Sequence, residues 1–309
     1  MTHRNSQAFE VPDHPIFTDT HCHIHEENYA EREAAYTRAR AAGVERMIVV
    51  GTDEKSSREA VAFAESHDYA WASIGIHPHE AITNRGDIEK LRHMMSAISV
   101  YSPKSDRKIE KNDFPIAGSK VTFSKQTDVA AGDFRSSNVQ RLSSKIVAIG
   151  EIGLDYYYNH SPREVQIAVL EAQLQLSCDH DLPVIFHVRE AFADFWPIFD
   201  NFRGLRGVVH SYTDNVSNME QALSRGLLIG VNGIATFAKD RQDIYRAIPY
   251  EKMLLETDAP YLTPVPHRGT VNEPALLTHV ATHIANLQSI NLQELSRATE
   301  ASAMHLFNI

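Results

Sequence analysis

Eight short runs of β-branched and other apolar residues recur along the chain, and amphipathic stretches with helical periodicity lie between most of them. The runs start at Ile16, Arg46, Tyr69, Ile146, Pro183, Gly207, Leu227 and Met253. Strands that alternate with helices indicate parallel βαβ units. Eight units favour a (β/α)8 barrel, also called a TIM barrel, over an open doubly wound sheet, and no glycine-rich phosphate turn follows the first run. We therefore predict one α/β domain.

Helical stretches are predicted where apolar side chains recur with a period of about 3.6 residues. They cover Tyr29–Ala42, Ser56–His67, Asp87–Ile98, Pro162–Asp181, Ala191–Phe202, Val216–Arg225, Asp240–Ile248, Glu273–Leu287 and Leu292–Phe307. The strand and helix pattern begins only at residue 16. We expect an N-terminal tail of residues 1–15 and a barrel of residues 16–309.

One segment interrupts this pattern. Residues 99–144 are polar and rich in Ser, Lys and Asp, without a sustained period of 3.6 or 2. Loops of this length are uncommon in compact domains and are either functional or disordered. We predict a partly disordered insertion between the third predicted helix and the fourth strand, on the face opposite the catalytic rim. A partner-binding arm is the alternative.

The composition of the 309 residues, 43% hydrophobic and 23% charged, is ordinary for a globular protein. No run of about 18 apolar residues and no apolar leader is present, so neither a membrane partner nor a signal peptide is expected. Two cysteines indicate no disulfide framework, which fits a cytoplasmic protein. A formal net charge of −10 argues against a generic nucleic-acid coat but not against a locally cationic cleft.

The first run ends in "FTDTHCHIH", residues 17–25, which holds one aspartate and three histidines. If the segment is a strand, Asp19, His21 and His23 face one side and Cys22 faces the other. Neutral imidazole is the commonest metal ligand. The spacing therefore indicates a metal site that does not include the Cys22 thiol. The alternative is a polar turn that happens to contain histidines.

Ionisable side chains also lie at or near the C-terminal ends of five other runs. They include His77, His79, Glu151, His187, Arg189, His210, Glu256 and Asp258. The C-terminal ends of barrel strands meet at one rim, so these side chains are predicted to converge. Buried carboxylates without partners are costly, and a cation removes that cost. Four imidazoles and two carboxylates suit two closely spaced Zn²⁺, Mn²⁺ or Mg²⁺ ions; these six are His21, His23, Glu151, His187, His210 and Asp258.

Several stretches together resemble the TatD family of metal-dependent hydrolases, which is similar to the amidohydrolases and includes deoxyribonucleases. These stretches are "DTHCHIH", "GIHPH", "GEIGLDYY", "PVIFHVRE", "GVVHSY", "GVNGIATF", "LLETDAPYL" and "RGTVNEP". The resemblance runs from Phe17 to the C-terminus apart from residues 99–144. Neither that segment nor the first fifteen residues belong to the family pattern.

The resemblance implies a role for each rim residue. One metal ion would be held by His21, His23, Glu151 and Asp258. A second ion would be held by His187, His210 and Glu151, which would bridge the two ions. The same resemblance implies that His77, His79 and Arg189 face the substrate, and that Asp258 accepts a proton during the reaction.

The predicted function is hydrolysis of phosphodiester bonds by a metal-activated water, as in a 3′–5′ deoxyribonuclease acting on single-stranded DNA. Rim aromatics could stack bases or could merely pack loops; they include Tyr156, Tyr157, Phe237 and Tyr261. An alternative is an ester or amide hydrolase, such as a D-aminoacyl-tRNA deacylase, because the same water could attack a carbonyl carbon. A non-enzymatic barrel would carry a broken ligand set, whereas all six positions hold suitable residues. No obligate protein partner is evident.

Overall fold

Eight parallel strands form the centre of the computed structural model, which describes residues 14–27, 29–99 and 145–309, and only the backbone of residues 96–99. Each strand pairs with the next one in the chain. The strands are β1 Phe17–Cys22, β2 Val44–Val50, β3 Ala70–Ile74, β4 Ile146–Asp155, β5 Val184–Arg189, β6 Gly207–Val209, β7 Leu228–Val231 and β8 Met253–Leu255. This order is that of a (β/α)8 barrel, as predicted.

Helices alternate with the strands along the described chain. They are α1 Arg32–Ala41, α2 Glu54–Ser66, α3 Ala81–Asn84, α4 Ile88–Ser99, α5 Arg163–His180, α6 Phe192–Asp200, α7 Val216–Ser224, α8 Ile234–Phe237, α9 Gln242–Ala247, α10 Leu277–Gln288 and α11 Leu292–Phe307. Apolar side chains of these helices join those of the strands in one large buried cluster; Leu170 and Leu174 of α5, for example, lie there with Ile149 and Ile152 of β4. Among the described helices, none is long and apolar enough to cross a membrane.

Hydrogen bonds join the two edge strands of the sheet, β1 and β8, near their C-terminal ends. The Thr20 hydroxyl donates to the carbonyl of Leu255 at 3.0 Å. One step further, the Asp258 N–H donates to the His21 carbonyl at 2.8 Å, and the His23 N–H donates to the Ala259 carbonyl at 2.7 Å. These bonds bring the first histidine pair beside the segment that follows the last strand.

The seventh apolar run is longer than the strand that it contains. The strand β7 ends at Val231, and residues 234–237 of the same run form the short helix α8. The Asn232 side chain accepts a hydrogen bond from the Ile234 N–H at 3.1 Å, which turns the chain out of the sheet. The apolar residue pattern alone could not distinguish the strand from the short helix, because both elements have such a composition.

The predicted tail and insertion fall mostly outside the described residues. The described chain stops after α4 and resumes at Lys145, immediately before β4. A connection from a helix to the following strand begins and ends on the N-terminal side of a barrel. The predictions for residues 1–15 and 99–144 remain predictions.

Candidate metal centre

The six predicted ligands come together at the C-terminal rim of the barrel. His21 lies in β1, Glu151 in β4 and His187 in β5. His23 and His210 directly follow β1 and β6, and Asp258 lies three positions after the end of β8. Residues separated by more than 200 positions thus share one small volume, because parallel strands end on the same side.

One half of the cluster contains His21 of β1 and His23, which directly follows that strand. Their Nε2 atoms, on His21 and His23, lie 3.2 Å apart. The Oδ1 atom of Asp258 lies 3.4 Å from the Nε2 of His23 and 3.7 Å from that of His21. Three potential ligand atoms therefore surround one point from three directions.

Glu151 occupies the middle of the site, where its carboxylate is surrounded by imidazoles. Its Oε1 lies 2.8 Å from Nδ1 of His187, 3.6 Å from Nε2 of His77 and 3.7 Å from Nε2 of His210. Its other oxygen, Oε2, lies 3.4 Å from Nε2 of His21. This carboxylate therefore connects the β1 histidines with those of β5 and β6.

Two of the ring nitrogens that point away from the cluster, on His23 and His210, lie close to an oxygen atom. Nδ1 of His23 lies 2.8 Å from the Val50 carbonyl, which can only accept. The Nδ1 proton is therefore fixed, so Nε2, which faces Asp258, is the nitrogen that would bind a cation in place of a proton. Nδ1 of His210 lies 3.0 Å from Oε1 of Glu256, an ion-pair contact without the geometry of a hydrogen bond, and Nε2 faces the site. Such outer partners set the tautomer and orientation of metal-binding histidines.

The donor set suits a divalent cation. Among the residues that the structure describes, three groups have all their ligand atoms within 4.8 Å of one another: His21, His23 and Asp258; His77, Glu151 and His187; and His21, His210 and Glu256. The buried Nδ1 atoms of His21 and His210 have no hydrogen-bond partner among the described residues. Imidazole nitrogen with carboxylate oxygen is the combination that Zn²⁺ and similar ions accept. Placing so many acceptors together calls for positive charge between them.

The pKa values show how strongly the site attracts positive charge. Burial alone would raise the pKa of Glu151, but the imidazoles of His77, His210 and His21 outweigh it and hold that pKa well below its usual value. Burial would lower the pKa of His187, yet hydrogen bonds to Asp155 and Glu151 raise it to about 9. The carboxylates thus stay ionised and pull protons onto neighbouring rings. A metal ion would take the place of those protons.

The backbone conformation of Asp258 and the hydrogen bonds of Asp19 fix the positions of Asp258 and His21 relative to each other. Asp258 adopts φ of 59°, a left-handed conformation that is rare outside glycine and that concentrates at functional sites. The buried Asp19 carboxylate accepts hydrogen bonds from the Thr257 N–H at 3.0 Å and the Thr257 hydroxyl at 2.5 Å. It also accepts from the His21 N–H at 3.2 Å. Asp19 thereby ties the β1 ligand to the residue before Asp258.

Glycine at position 153 allows β4 and β5 to approach closely. A Cβ there would lie 1.7 Å from the His187 carbonyl oxygen, and φ is +156°. No side chain fits such a contact. This close approach sets the distance between the strand that carries Glu151 and the strand that carries His187.

The predicted substrate-facing residues lie beside this cluster. The His79 N–H donates to Nδ1 of His77 at 3.1 Å, so that nitrogen is unprotonated. Burial lowers the pKa of His77 to about 4, and the neutral ring must then carry its proton on Nε2. His77 is therefore a hydrogen-bond donor facing Glu151, which makes it a poor third ligand for the His77, Glu151 and His187 group. The Arg189 guanidinium lies over the rings of Tyr157 and Tyr158, 4.1 and 4.7 Å from their centroids.

Residues 18–308 match the family model described as TatD related DNase. The chain belongs to the TatD family. An uncharacterised metal-dependent hydrolase, YabD of Bacillus subtilis, is 30% identical over 94% of this chain and 98% of its own length. A protein of Citrobacter koseri named 3′-5′ ssDNA/RNA exonuclease TatD is 31% identical over 90% of this chain and 94% of its own. The crystal structure of the TatD homologue YJJV from Escherichia coli K12 superposes with a TM-score of 0.73 at 26% identity, covering 95% and 98% of the two chains.

Two buried carboxylates of this TatD-family site were given no role from the sequence, although Glu256 was predicted to lie at the rim. Glu256 contacts His210, as described above, and Asp155 contacts His187 through Nε2 at 2.9 Å. Asp155 stands four positions after Glu151, so strand alternation could have placed both on one face. Glu256 stands two positions before Asp258, a similar signal.

A Cys22→Ser variant of this TatD-family chain is expected to bind metal as well as the unmodified protein, within about twofold. The thiol is fully buried and its Sγ donates to the Ile48 carbonyl at 3.7 Å, away from the imidazoles. A serine hydroxyl can keep that bond. Metal analysis by atomic emission, with circular dichroism to check the fold, measures this. Loss of metal from a folded variant would place the thiol in the site.

Proposed function

We propose that this protein is a metal-dependent nuclease that hydrolyses phosphodiester bonds of single-stranded nucleic acid from the 3′ end. Its relative from Citrobacter koseri bears the name of such an exonuclease. The catalytic domain would comprise residues 16–309, with residues 1–15 and 99–144 as additions to it. The two free cysteines fit a reducing compartment such as the cytoplasm.

The proposed centre holds two divalent ions, of zinc, magnesium or manganese. His21, His23 and Asp258 would hold the first ion, and His187 and His210 the second. Glu151 would bridge them, since its two oxygens face different imidazoles. When bound, such ions acidify a water and offset the charge that develops on a phosphate.

Asp258 is the proposed acceptor of the proton from the attacking water. Burial would raise its pKa, but a hydrogen bond to His23 and the nearby charge of His210 and His21 lower it, so the group is ionised at neutral pH. Its side chain is 15% exposed, whereas that of Glu151 is 6% exposed. An ionised carboxylate at the open side of the cluster can accept a proton from water next to the substrate.

The phosphate of the substrate would be held by His77 and Arg189, and His79, whose Nε2 lies 3.0 Å from Oδ2 of Asp155, would lie beside it. The Nε2–H of His77 faces the site as a donor, because its Nδ1 accepts from the His79 N–H. Arg189 follows His187 by two positions on β5, and its planar guanidinium can form two parallel hydrogen bonds to phosphate oxygens.

The observation that carries the proposal is the state of Arg189. Arg189 forms no ion pair with any described residue, and neither Glu190 nor Asp194 is its partner. Its guanidinium instead stacks on two tyrosine rings. These two residues, Tyr157 and Tyr158, are 55% and 51% exposed. A guanidinium without an ion-pair partner can bind a phosphate, and exposed aromatic rings can stack on unpaired bases. Their position beside the proposed metal centre therefore suits single-stranded nucleic acid. An acyl hydrolase would instead need an oxyanion site and a side-chain pocket.

The proposal is tested with purified protein, stripped of metal and reloaded with Zn²⁺, Mn²⁺ or Mg²⁺. Single strands labelled at the 3′ or the 5′ end are the substrates, and Asp258→Asn protein controls for contaminating nucleases. A 3′–5′ exonuclease releases the 3′ label at once and shortens the 5′-labelled strand stepwise. Turnover of aminoacyl-tRNA without cleavage of any strand would establish the acyl hydrolase instead.

An Arg189→Ala variant is expected to raise KM for a single-stranded oligonucleotide by about 10–100-fold, with a smaller change in kcat. Hydrogen bonds to charged groups contribute about 1.5–3 kcal/mol each, and a contact made in both ground and transition states appears in KM. The matched control is Arg225→Ala. Arg225 also stacks on an aromatic ring, that of Trp196 at 4.5 Å, but follows the C-terminus of α7. Equal KM values for both variants would remove Arg189 from substrate binding.

A further inference from the structure

One buried carboxylate, Asp155, lies at the centre of a hydrogen-bond network next to the proposed metal centre. It is the last residue of β4 and is fully buried. Its Oδ2 lies 2.9 Å from Nε2 of His187 and 3.0 Å from Nε2 of His79. Its Oδ1 accepts from the Tyr158 N–H at 2.8 Å. Three donors from three segments thus meet on a single side chain.

The main chain of Asp155 is held by a buried glutamine of α5. The Asp155 N–H donates to Oε1 of Gln166 at 2.8 Å, and Nε2 of Gln166 donates to the Asp155 carbonyl at 3.0 Å. The same Nε2 also donates to the Ser161 carbonyl at 2.8 Å. With its backbone fixed by a helix and its side chain saturated, Asp155 is a rigid acceptor to which the imidazoles must adapt.

A carboxylate accepts hydrogen bonds and donates none, so both rings must carry a proton on Nε2. For His187 the other nitrogen, Nδ1, lies 2.8 Å from Oε1 of Glu151 and donates to that carboxylate while no cation is bound. A bound cation would replace this Nδ1 proton and leave the Nε2 proton, which Asp155 holds. If the remaining proton sat on Nδ1 instead, an N–H would point at the metal position and block it.

The network continues from His79 to the other substrate-facing histidine. The His79 N–H donates to Nδ1 of His77 at 3.1 Å. Asp155 fixes the His79 ring, and the Ser161 hydroxyl donates to the His79 carbonyl at 3.0 Å. The residue whose backbone sets the His77 tautomer is therefore held from both sides.

We propose that Asp155 is a positioning residue that selects the Nε2-protonated tautomer of His187 for metal binding and joins it to His79 on the substrate side. The inference rests on the proposed metal centre. Outer carboxylates of this kind orient metal-binding histidines, and their removal typically costs 10–100-fold in metal affinity. Asp155 touches neither the metal position nor the substrate in this arrangement.

The Asp155→Asn substitution separates positioning from simple packing. Asparagine has the same shape, but one oxygen becomes an NH₂ group that donates. With that NH₂ group toward the rings, His187 is driven to accept on Nε2 and carry its proton on Nδ1, which faces the metal. With the amide reversed, its NH₂ group opposes the Tyr158 N–H. Either orientation breaks the network without leaving a cavity.

The experiment is a zinc titration of metal-free protein by calorimetry, without substrate. Asp155→Asn is expected to weaken one zinc-binding step by about 10–100-fold. Asp194→Asn is the matched control, since Asp194 lies near the same rim and its side chain accepts from the Tyr156 hydroxyl at 2.8 Å; its zinc binding should change less than twofold. An Asp155→Asn protein with lowered thermal stability but unchanged zinc binding would overturn the proposal.

A second measurement uses the unsubstituted protein and decides the matter even if Asp155→Asn fails to fold. Long-range ¹⁵N–¹H correlation spectra of the zinc-loaded, ¹⁵N-histidine-labelled protein report the tautomer of each ring. The His187 ring, assigned by its loss in His187→Asn, is expected to be protonated on Nε2. Protonation on Nδ1 would overturn the proposal. Neither measurement involves nucleic acid, so a failed nuclease assay would leave both results standing.

Discussion

Asp258→Asn protein is expected to lose at least about 10³-fold in kcat on a single-stranded oligonucleotide while remaining folded. An amide cannot accept the proton of the attacking water, and general base catalysis contributes typically 10²–10⁴-fold. The amide is also a weaker ligand than the carboxylate that now lies 3.4 Å from Nε2 of His23. Loss of a factor of 10³ corresponds to about 4 kcal/mol of transition-state stabilisation. Steady-state kinetics at saturating metal measures it.

Two controls show whether the loss of turnover in Asp258→Asn comes from a lost base. Asp240→Asn makes the same chemical change at an exposed position on the turn between α8 and α9 and should leave kcat unchanged. Metal analysis of Asp258→Asn distinguishes a lost base from a lost ligand, because a protein that keeps its full metal content but not its turnover has lost the base. Near-normal turnover with metal retained would exclude Asp258 from the reaction.

Glu151→Gln protein is expected to lose at least one metal ion per chain and about 10³-fold or more in activity. The carboxylate contacts imidazoles on both sides of the site, so one substitution weakens both halves. The glutamine side chain keeps the volume but supplies one oxygen and no charge. Metal content by atomic emission and turnover on labelled single strands measure the two effects separately.

The Glu151→Gln prediction has a control on the same rim. Glu190 is exposed and follows Arg189 at the end of β5, so Glu190→Gln alters the same chemical group outside the cluster. Metal content and turnover should then stay within about twofold of the unmodified protein. If Glu151→Gln retained two ions per chain, a bridging role for this carboxylate would be wrong.

The barrel itself was predictable from the sequence. The spacing of apolar runs and helical stretches predicts eight parallel units, and the structure confirms them. The helix Leu292–Phe307 was predicted with both boundaries correct, whereas the run from Leu227 hid a strand end and a short helix. Periodicity extends over whole elements and is therefore visible in the letters. A strand end set by one side-chain hydrogen bond, that of Asn232, is not.

The site was predictable in its membership more than in its internal arrangement. Strand ends marked by His21, Glu151 and His187 were enough to predict a shared rim, because parallel strands leave little choice. The contacts of Asp155 and Glu256 with the rings were not predicted. Each of these carboxylates meets its imidazole across a gap of more than 30 residues in the chain.

By itself, the sequence determined the fold class, the family and the residue types available at the rim. Only the tertiary structure decided which nitrogen of each ring faces the cluster, as when the Val50 carbonyl fixes the proton on Nδ1 of His23. The physical reason is that strand periodicity is a local property of the chain. A tautomer, in contrast, depends on one hydrogen bond to a group that packing brings to within 3 Å from elsewhere in the sequence.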